Sequence, residues 1–234
     1  MGLVNIQNTN FENGITNRNA AALFGSMGHL DPTKFSTYME DFHAPNIVSD
    51  ELDGFNDITT GTVATADLEG GGILITTGAT DTNVGVIQTE SLGFSCVASR
   101  PLYFRGKLET ADVVEADILV GLMDAVGSIA PADGIFFLKP DDDAGLVDII
   151  VRSGAVEIAT HAAITTMVDD VQMTFEFYWD GIDRVYYGID GVPLGFLTVP
   201  TVPTGLLAPT VGAITGATAA KTVVVDYLFA SQER

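Results

Sequence analysis

Val171-Gln172-Met173-Thr174-Phe175-Glu176-Phe177-Tyr178-Trp179 alternates apolar and polar residues without a break. Val171, Met173, Phe175, Phe177 and Trp179 fall on one side of an extended chain, and Gln172, Thr174, Glu176 and Tyr178 fall on the other. That period of two is the mark of a half-buried β-strand. Asp180-Gly181 then turns the chain, and Val185, Tyr187 and Ile189 build a second alternating strand. Asp190-Gly191 supplies a two-residue hairpin into Val192–Thr198. Trp179 runs with Phe175 and Phe177 and therefore belongs to the core. Tyr178 and Tyr186 remain as the candidate outward-facing aromatics.

The same pattern extends in both directions. Leu102, Phe104, Gly106 and Leu108 alternate with Tyr103, Arg105, Lys107 and Glu109. Residues 117–123 are apolar on both sides, as a central strand requires. Gly134–Lys139 and 146–152 flank the acidic loop Asp141-Asp142-Asp143, and 154–160 pairs back onto 146–152. Upstream, 73–77 and 84–90 read as a hairpin-like pair across 78–83. Downstream, Pro200, Pro203 and Pro209 mark an edge or connecting loop. Residues 221–230 close the domain, with Val223, Val225, Tyr227 and Phe229 expected on one face. Roughly a dozen short strands at this spacing predict an all-β fold, a two-sheet antiparallel sandwich, rather than an alternating α/β fold.

Residues 1–45 differ from the remainder. Asparagines punctuate them, and Leu3, Ile6, Phe11, Ile15, Leu23 and Phe24 are apolar without strand periodicity. Asn17 and Asp31-Pro32 are helix-start signals. Phe35, Tyr38, Met39 and Phe42 fit one helical face and equally fit the entry to a first strand. The expectation is an N-terminal extended arm over 1–45, using those six apolar residues as partner contacts, followed by a sandwich domain over 46–234.

Charge narrows the partners. Thirty-one acids against ten Lys and Arg give a net charge of −21, and the cations are scattered. Nucleic acid binding needs a basic patch, so no nucleic acid partner is expected, and an anionic membrane surface is excluded on the same ground. No apolar stretch reaches the roughly 18 residues of a membrane span. The first residues have neither a basic nor an apolar signal region, so no secretory leader is expected. Cys96 is the single cysteine, which leaves no intrachain disulfide and reads as a small core residue.

Chemistry-bearing motifs are sparse. His29, His43 and His161 lie in separate segments without metal-ligand spacing. Glu115-Ala116-Asp117-Ile118-Leu119-Val120 supplies two acids of the Glu-x-Asp-x-x-Glu strand of sandwich-fold glucanases, but Val120 stands where the third belongs. A retaining hydrolase needs two carboxyls about 5 Å apart, and this strand does not provide them. Glu115 and Asp117 therefore read as turn and strand-entry residues. Asp141-Asp142-Asp143 does not match a calcium loop, and no metal or cofactor is expected.

Four stretches carry a resemblance: Phe35-Ser36-Thr37-Tyr38-Met39-Glu40-Asp41-Phe42; Gly70-Gly71-Gly72-Ile73-Leu74-Ile75-Thr76-Thr77 with Thr80-Asp81-Thr82-Asn83; Arg100-Pro101-Leu102-Tyr103-Phe104-Arg105-Gly106-Lys107-Leu108-Glu109 leading to Asp117-Ile118-Leu119-Val120-Gly121-Leu122-Met123-Asp124; and Trp179-Asp180-Gly181 with Val185 to Gly191. Together they resemble tailed-phage structural proteins with a concanavalin A-like (LamG-like) jelly roll, over about residues 35–230. The resemblance implies a virion protein without enzymatic activity, a decoration or cement protein. It would stabilise the outer capsid surface as a homotrimer on the major capsid protein, after synthesis in the host cytoplasm. Two other roles go with the same fold: a module that binds host glycan as a receptor, and a tail or baseplate subunit.

Overall fold

The computed structural model describes residues 35–48, 51–91, 93–124 and 131–234, with side chains described at all of these except 57–59. In chain order the strands are β1 (Phe35–Glu40), β2 (Ile47–Val48), β3 (Glu51–Leu52), β4 (Phe55–Thr59), β5 (Thr62–Thr65) and β6 (Ile73–Thr76). They continue as β7 (Val84–Thr89), β8 (Leu102–Thr110), β9 (Ala116–Met123), β10 (Gly134–Lys139), β11 (Leu146–Ser153) and β12 (Val156–Thr166). The last five are β13 (Met173–Trp179), β14 (Arg184–Ile189), β15 (Val192–Thr198), β16 (Ala208–Thr215) and β17 (Thr222–Glu233). No helix occurs among the described residues.

Two antiparallel sheets form the two layers of a jelly-roll sandwich. The seven-stranded sheet runs β12-β11-β10-β9-β16-β7-β4, and the eight-stranded sheet runs β15-β14-β13-β8-β17-β6-β5, with β1 also on β17. β17 is long enough to hold two partners along one edge, β6 against Thr222–Val225 and β1 against Leu228–Glu233. The core lies between the sheets. Phe137 of β10 meets Phe175 of β13 at 5.3 Å between ring centroids, while Phe104 stacks on Phe177 at 5.4 Å within the eight-stranded sheet. Trp179, expected in the core, is buried there.

The central strands β9 and β16 are buried along their whole length. Ile118, Val120 and Leu122 face the other sheet, and Leu119 and Met123 face the opposite way. There they join Val86, Phe136, Ile150 and Ile214 in a second apolar cluster. This is why residues 117–123 carry no alternation.

Several expectations change on the structure. Of the two readings left open for Phe35 to Phe42, the strand holds over Phe35–Glu40, and Phe42 is a core residue beside Phe55 at 5.8 Å. Residues 35–45, assigned from sequence to the arm, thus belong to the sandwich. Leu3, Ile6, Phe11, Ile15, Leu23 and Phe24, and the two helix-start signals, lie outside the described residues. β6 and β7 are not a hairpin, because they belong to different sheets and residues 77–83 cross between them. Thr77 Oγ1 ties that crossing to Thr215 Oγ1 at 2.5 Å. Pro209 is the second residue of β16, a central strand, rather than part of an edge or loop. Proline is tolerated there because it stands at the strand's start.

One irregularity decides what the eight-stranded sheet shows to solvent. β17 pairs with β8 as Val225↔Leu108 and then Tyr227↔Lys107, so Asp226 is an extra residue, a β-bulge. Before it Val223 and Val225 face the core, and after it Leu228 and Ala230 do. Tyr227 and Phe229, expected beside Val223 and Val225, are turned to the outer face instead.

Candidate functional site

The two acids of the glucanase-like stretch do not meet in a site. Glu115 accepts a hydrogen bond from the buried Lys221 Nζ at 2.8 Å, which also donates to Asp112 at 2.6 Å. Asp117 accepts from the Asp141 N–H at 3.0 Å. Burial pushes the Asp117 carboxyl above its ordinary pKa, and the Asp141 N–H works against that rise. Lys139 lies in the core side of the same corner and donates to the Ala116 carbonyl at 2.6 Å. Val120 is buried in the core. No group of three or more His, Cys, Asp or Glu suited to hold a metal occurs among the described residues.

The outer face of the eight-stranded sheet is different in kind. Strand alternation that buries Phe175, Phe177, Val185, Tyr187 and Phe104 must send Glu176, Tyr178, Tyr186, Tyr103 and Arg105 the other way. Antiparallel register then aligns them across the strands. Phe196 of β15 stands opposite Tyr186 of β14, Tyr186 opposite Tyr178 of β13, and Tyr178 opposite Tyr103 of β8. Ring centroids are 5.8 Å apart from Phe196 to Tyr186 and 6.3 Å from Tyr186 to Tyr178. With strands about 4.8 Å apart, the four-ring row spans about 14 Å. Phe229 lies 5.7 Å from Tyr103, and Arg105 Cζ lies 5.9 Å from the Tyr227 ring centre. At the far end Arg184 covers Phe196 at 4.7 Å.

The next row carries the polar centre. Glu176 is opposite Arg105 on one side and Gly188 on the other. Tyr103 donates its hydroxyl to Glu176 Oε2 at 3.1 Å, and Arg105 Nε stands 3.9 Å from the same oxygen. Glu176 Oε1 and Arg105 Nε are both buried without a hydrogen-bond partner. Burial, and then the neighbouring Glu176 charge, push the Tyr103 hydroxyl well above its ordinary pKa. Tyr178 is raised too, by burial first and then by Asp180. One row further, Lys107 Nζ donates to Asp226 Oδ2 at 2.6 Å. Chemically the face offers the flat rings of the exposed Phe196 and the half-buried Tyr186 and Tyr178, while Tyr103 and Glu176 are buried beside the half-buried Arg105.

Tyr178 and Tyr186, singled out in the sequence, thus stand side by side in this row, both half-buried. Sequence alternation also sends Tyr103, Arg105 and Glu176 outward, but nothing in it says that β8 and β13 are neighbours. Tyr227 and Phe229 are lost to sequence reading because the bulge at Asp226 has no compositional signal.

Neither the protein-family models nor the curated proteins contain a match to this chain. Solved structures do. The endo-β-1,4-glucuronan lyase of the fungus Trichoderma reesei superposes with a TM-score of 0.58 at 13% identity, over 82% of this chain and 94% of that one. The carbohydrate recognition domain of Emp47p gives 0.59 at 14%, over 86% and 98%. The β-glucanase of Bacillus licheniformis gives 0.58 at 11%, over 82% and 96%. The fold of this chain is therefore the concanavalin A-like jelly-roll sandwich that these proteins share. Two of the three are carbohydrate-active enzymes, which corrects the expectation of a chain without enzymatic activity: this fold is compatible with a carbohydrate-active enzyme.

Proposed function

We propose that this protein recognises carbohydrate, holding a glycan chain across the outer face of the eight-stranded sheet. The observation that carries this reading is the aligned row Phe196–Tyr186–Tyr178–Tyr103 beside the Tyr103–Glu176–Arg105 cluster. Pyranose rings have apolar C–H faces that pack on aromatic rings, and hydroxyl edges that need directed donors and acceptors. The rings here lie along one line, with the polar groups in the adjacent row. A carbohydrate recognition domain and glycan-acting enzymes share the fold, which supports the reading by analogy. The test is affinity electrophoresis through gels containing polysaccharides, with release of reducing ends assayed in parallel. Retardation of the protein is expected, reduced about tenfold in affinity for Tyr186→Ala and Phe196→Ala, the loss of a stacking contact worth about 1.4 kcal/mol. Equal retardation of both variants and the parent would remove this face from the reading.

A second reading keeps the protein on the outside of a phage particle, as a homotrimer seated on the major capsid protein or as a tail or baseplate subunit. It draws on the net charge of −21, suited to the side of a shell away from packaged DNA, and on the apolar Leu3, Ile6, Phe11, Ile15, Leu23 and Phe24 ahead of β1. On this reading host glycan is a further partner. Deletion of residues 1–30, which spares β1, is expected to leave a folded sandwich that no longer joins capsids. Full occupancy by the truncated protein would count against it.

A further inference from the structure

We infer that this face takes a single glycan chain free in solution, not the flat surface of a crystalline polysaccharide, and that Arg184 is the donor that reads its hydroxyls. The inference rests on the carbohydrate reading and adds the class of ligand. The rings that a ligand can touch lie at the β15 end of the row. Phe196 is 48% exposed, Tyr186 and Tyr178 are half-buried, and Tyr103 is buried. The three accessible rings stand on three neighbouring strands and so cover about 10 Å, room for a short run of sugars. They are not coplanar. Tyr178 and Tyr186 are tilted by 36°, and Tyr186 and Phe196 by 47°. Stacking needs van der Waals contact between the C–H face of a sugar and the ring. A planar array of sugars that lies flat on one of these rings lifts off the next. A single chain turns about its glycosidic bonds and can meet each ring in its own plane.

The polar groups that solvent reaches flank the same end of the row. Arg184 and Thr198 are cross-strand partners, and both are exposed. Alternation puts Arg184 on the face of Tyr186 and Thr198 on the face of Phe196. Arg184 Cζ stands 4.7 Å from the Phe196 ring centre, and the guanidinium donates to the Tyr186 hydroxyl. The root of this side chain is held in place. Asp180 Oδ1 accepts from the N–H groups of Ile182, Asp183 and Arg184 at 2.8, 3.0 and 3.1 Å, and the Asp180 N–H donates to the Arg184 carbonyl at 3.0 Å. Asp183 lies 3.9 Å from Arg184 Nε, too far for a hydrogen bond. A guanidinium carries five donor hydrogens, so donors remain for a sugar resting on Phe196 and Tyr186. The exposed Asp183 carboxylate and Thr198 hydroxyl supply acceptors for the sugar's own O–H groups.

The experiment compares retardation of the full chain in gels containing soluble glucans, mannans and xylans with its depletion from solution by crystalline cellulose and crystalline mannan, and by the same two polymers after swelling to the amorphous form. The expected result is binding to a soluble or swollen polymer and none to its crystalline form. Arg184→Ala is expected to lose about tenfold in affinity, the weight of a hydrogen bond to a charged group. Arg184→Lys, which keeps the charge but not the planar fork, should restore little of it. The side chain is exposed, so both variants should unfold at the temperature of the parent. Depletion by a crystalline polymer as strong as by its swollen form would overturn the inference and leave the carbohydrate reading standing. Parent-like affinity of Arg184→Ala would remove Arg184 from it. Failure to bind any polysaccharide in any form would overturn both.

Discussion

Trp179 and Cys96 are two residues whose positions have consequences that are easy to measure. Trp179 is the bulkiest of the fully buried side chains, at 1% exposure, and faces Leu102's side of the core rather than the outer rings. Trp179→Ala is expected to lower stability by about 3–5 kcal/mol, as large-to-small core changes of this type do, read by denaturant unfolding. Glycan affinity of the protein that remains folded should be unchanged. Cys96 is buried, and burial first and Asp133 second push its thiol up to about 12 from 9.0. The folded state therefore holds its proton more tightly than the unfolded chain. The stability this contributes is present in full below pH 9 and is lost as pH rises toward 12. Native protein at pH 8 should react with a disulfide reagent only as fast as it opens, and at once when unfolded. At this scale the sequence was legible for Trp179, whose own strand announces its burial, and for Cys96, which stands outside the strands in the largely apolar stretch Phe94-Ser95-Cys96-Val97. Glu176 was not: alternation sends it outward, but its importance comes from Tyr103, Arg105 and Gly188, which stand on two other strands.

At the scale of an element, β17 shows how one residue redirects a surface. Val223 through Phe229 are apolar at every position but Asp226, so the sequence does not fix which of them face inward, and only the pairing with β8 reveals that Asp226 is extra. Deleting Asp226 would restore regular pairing, leaving Val225 and Leu228 inward and Tyr227 and Phe229 outward. The deletion variant is expected to fold cooperatively with a loss on the order of 0.5–3 kcal/mol, part of it the Lys107–Asp226 ion pair. Loss of the cooperative transition on thermal unfolding would mean that the bulge is required for the sheet itself. The hairpin of β14 and β15 is the contrasting case. Asp190 and Gly191 take φ of 52° and 77°, which the Asp-Gly pair favours locally, so this turn could be read from the sequence directly. Strand order between distant segments has no such local signature. Ile73–Thr76 and Val84–Thr89 are seven residues apart in sequence yet lie in opposite sheets, because the pattern of each strand is satisfied by either layer.

For the whole molecule, composition and strand spacing were enough to name a two-sheet sandwich, and the chain's similarity to the lyase, the carbohydrate recognition domain and the glucanase agrees at the level of fold. The role of the outer faces was not legible, since it depends on which strands become neighbours. The two faces have come out unlike. That of the seven-stranded sheet presents the buried apolar cluster of Val86, Leu119, Met123, Phe136, Ile150 and Ile214. That of the eight-stranded sheet carries rings that run from the exposed Phe196 through the half-buried Tyr186 and Tyr178 to the buried Tyr103, beside a buried carboxylate and a half-buried guanidinium. The most direct test of this assignment is to map amide shifts or hydrogen-exchange protection while a retained oligosaccharide is titrated into the full chain. Changes are expected to concentrate in β8, β13, β14 and β15 and at Tyr227 to Ser231 of β17. Changes confined to β9, β10, β11 and β16, or none at saturating ligand, would contradict it.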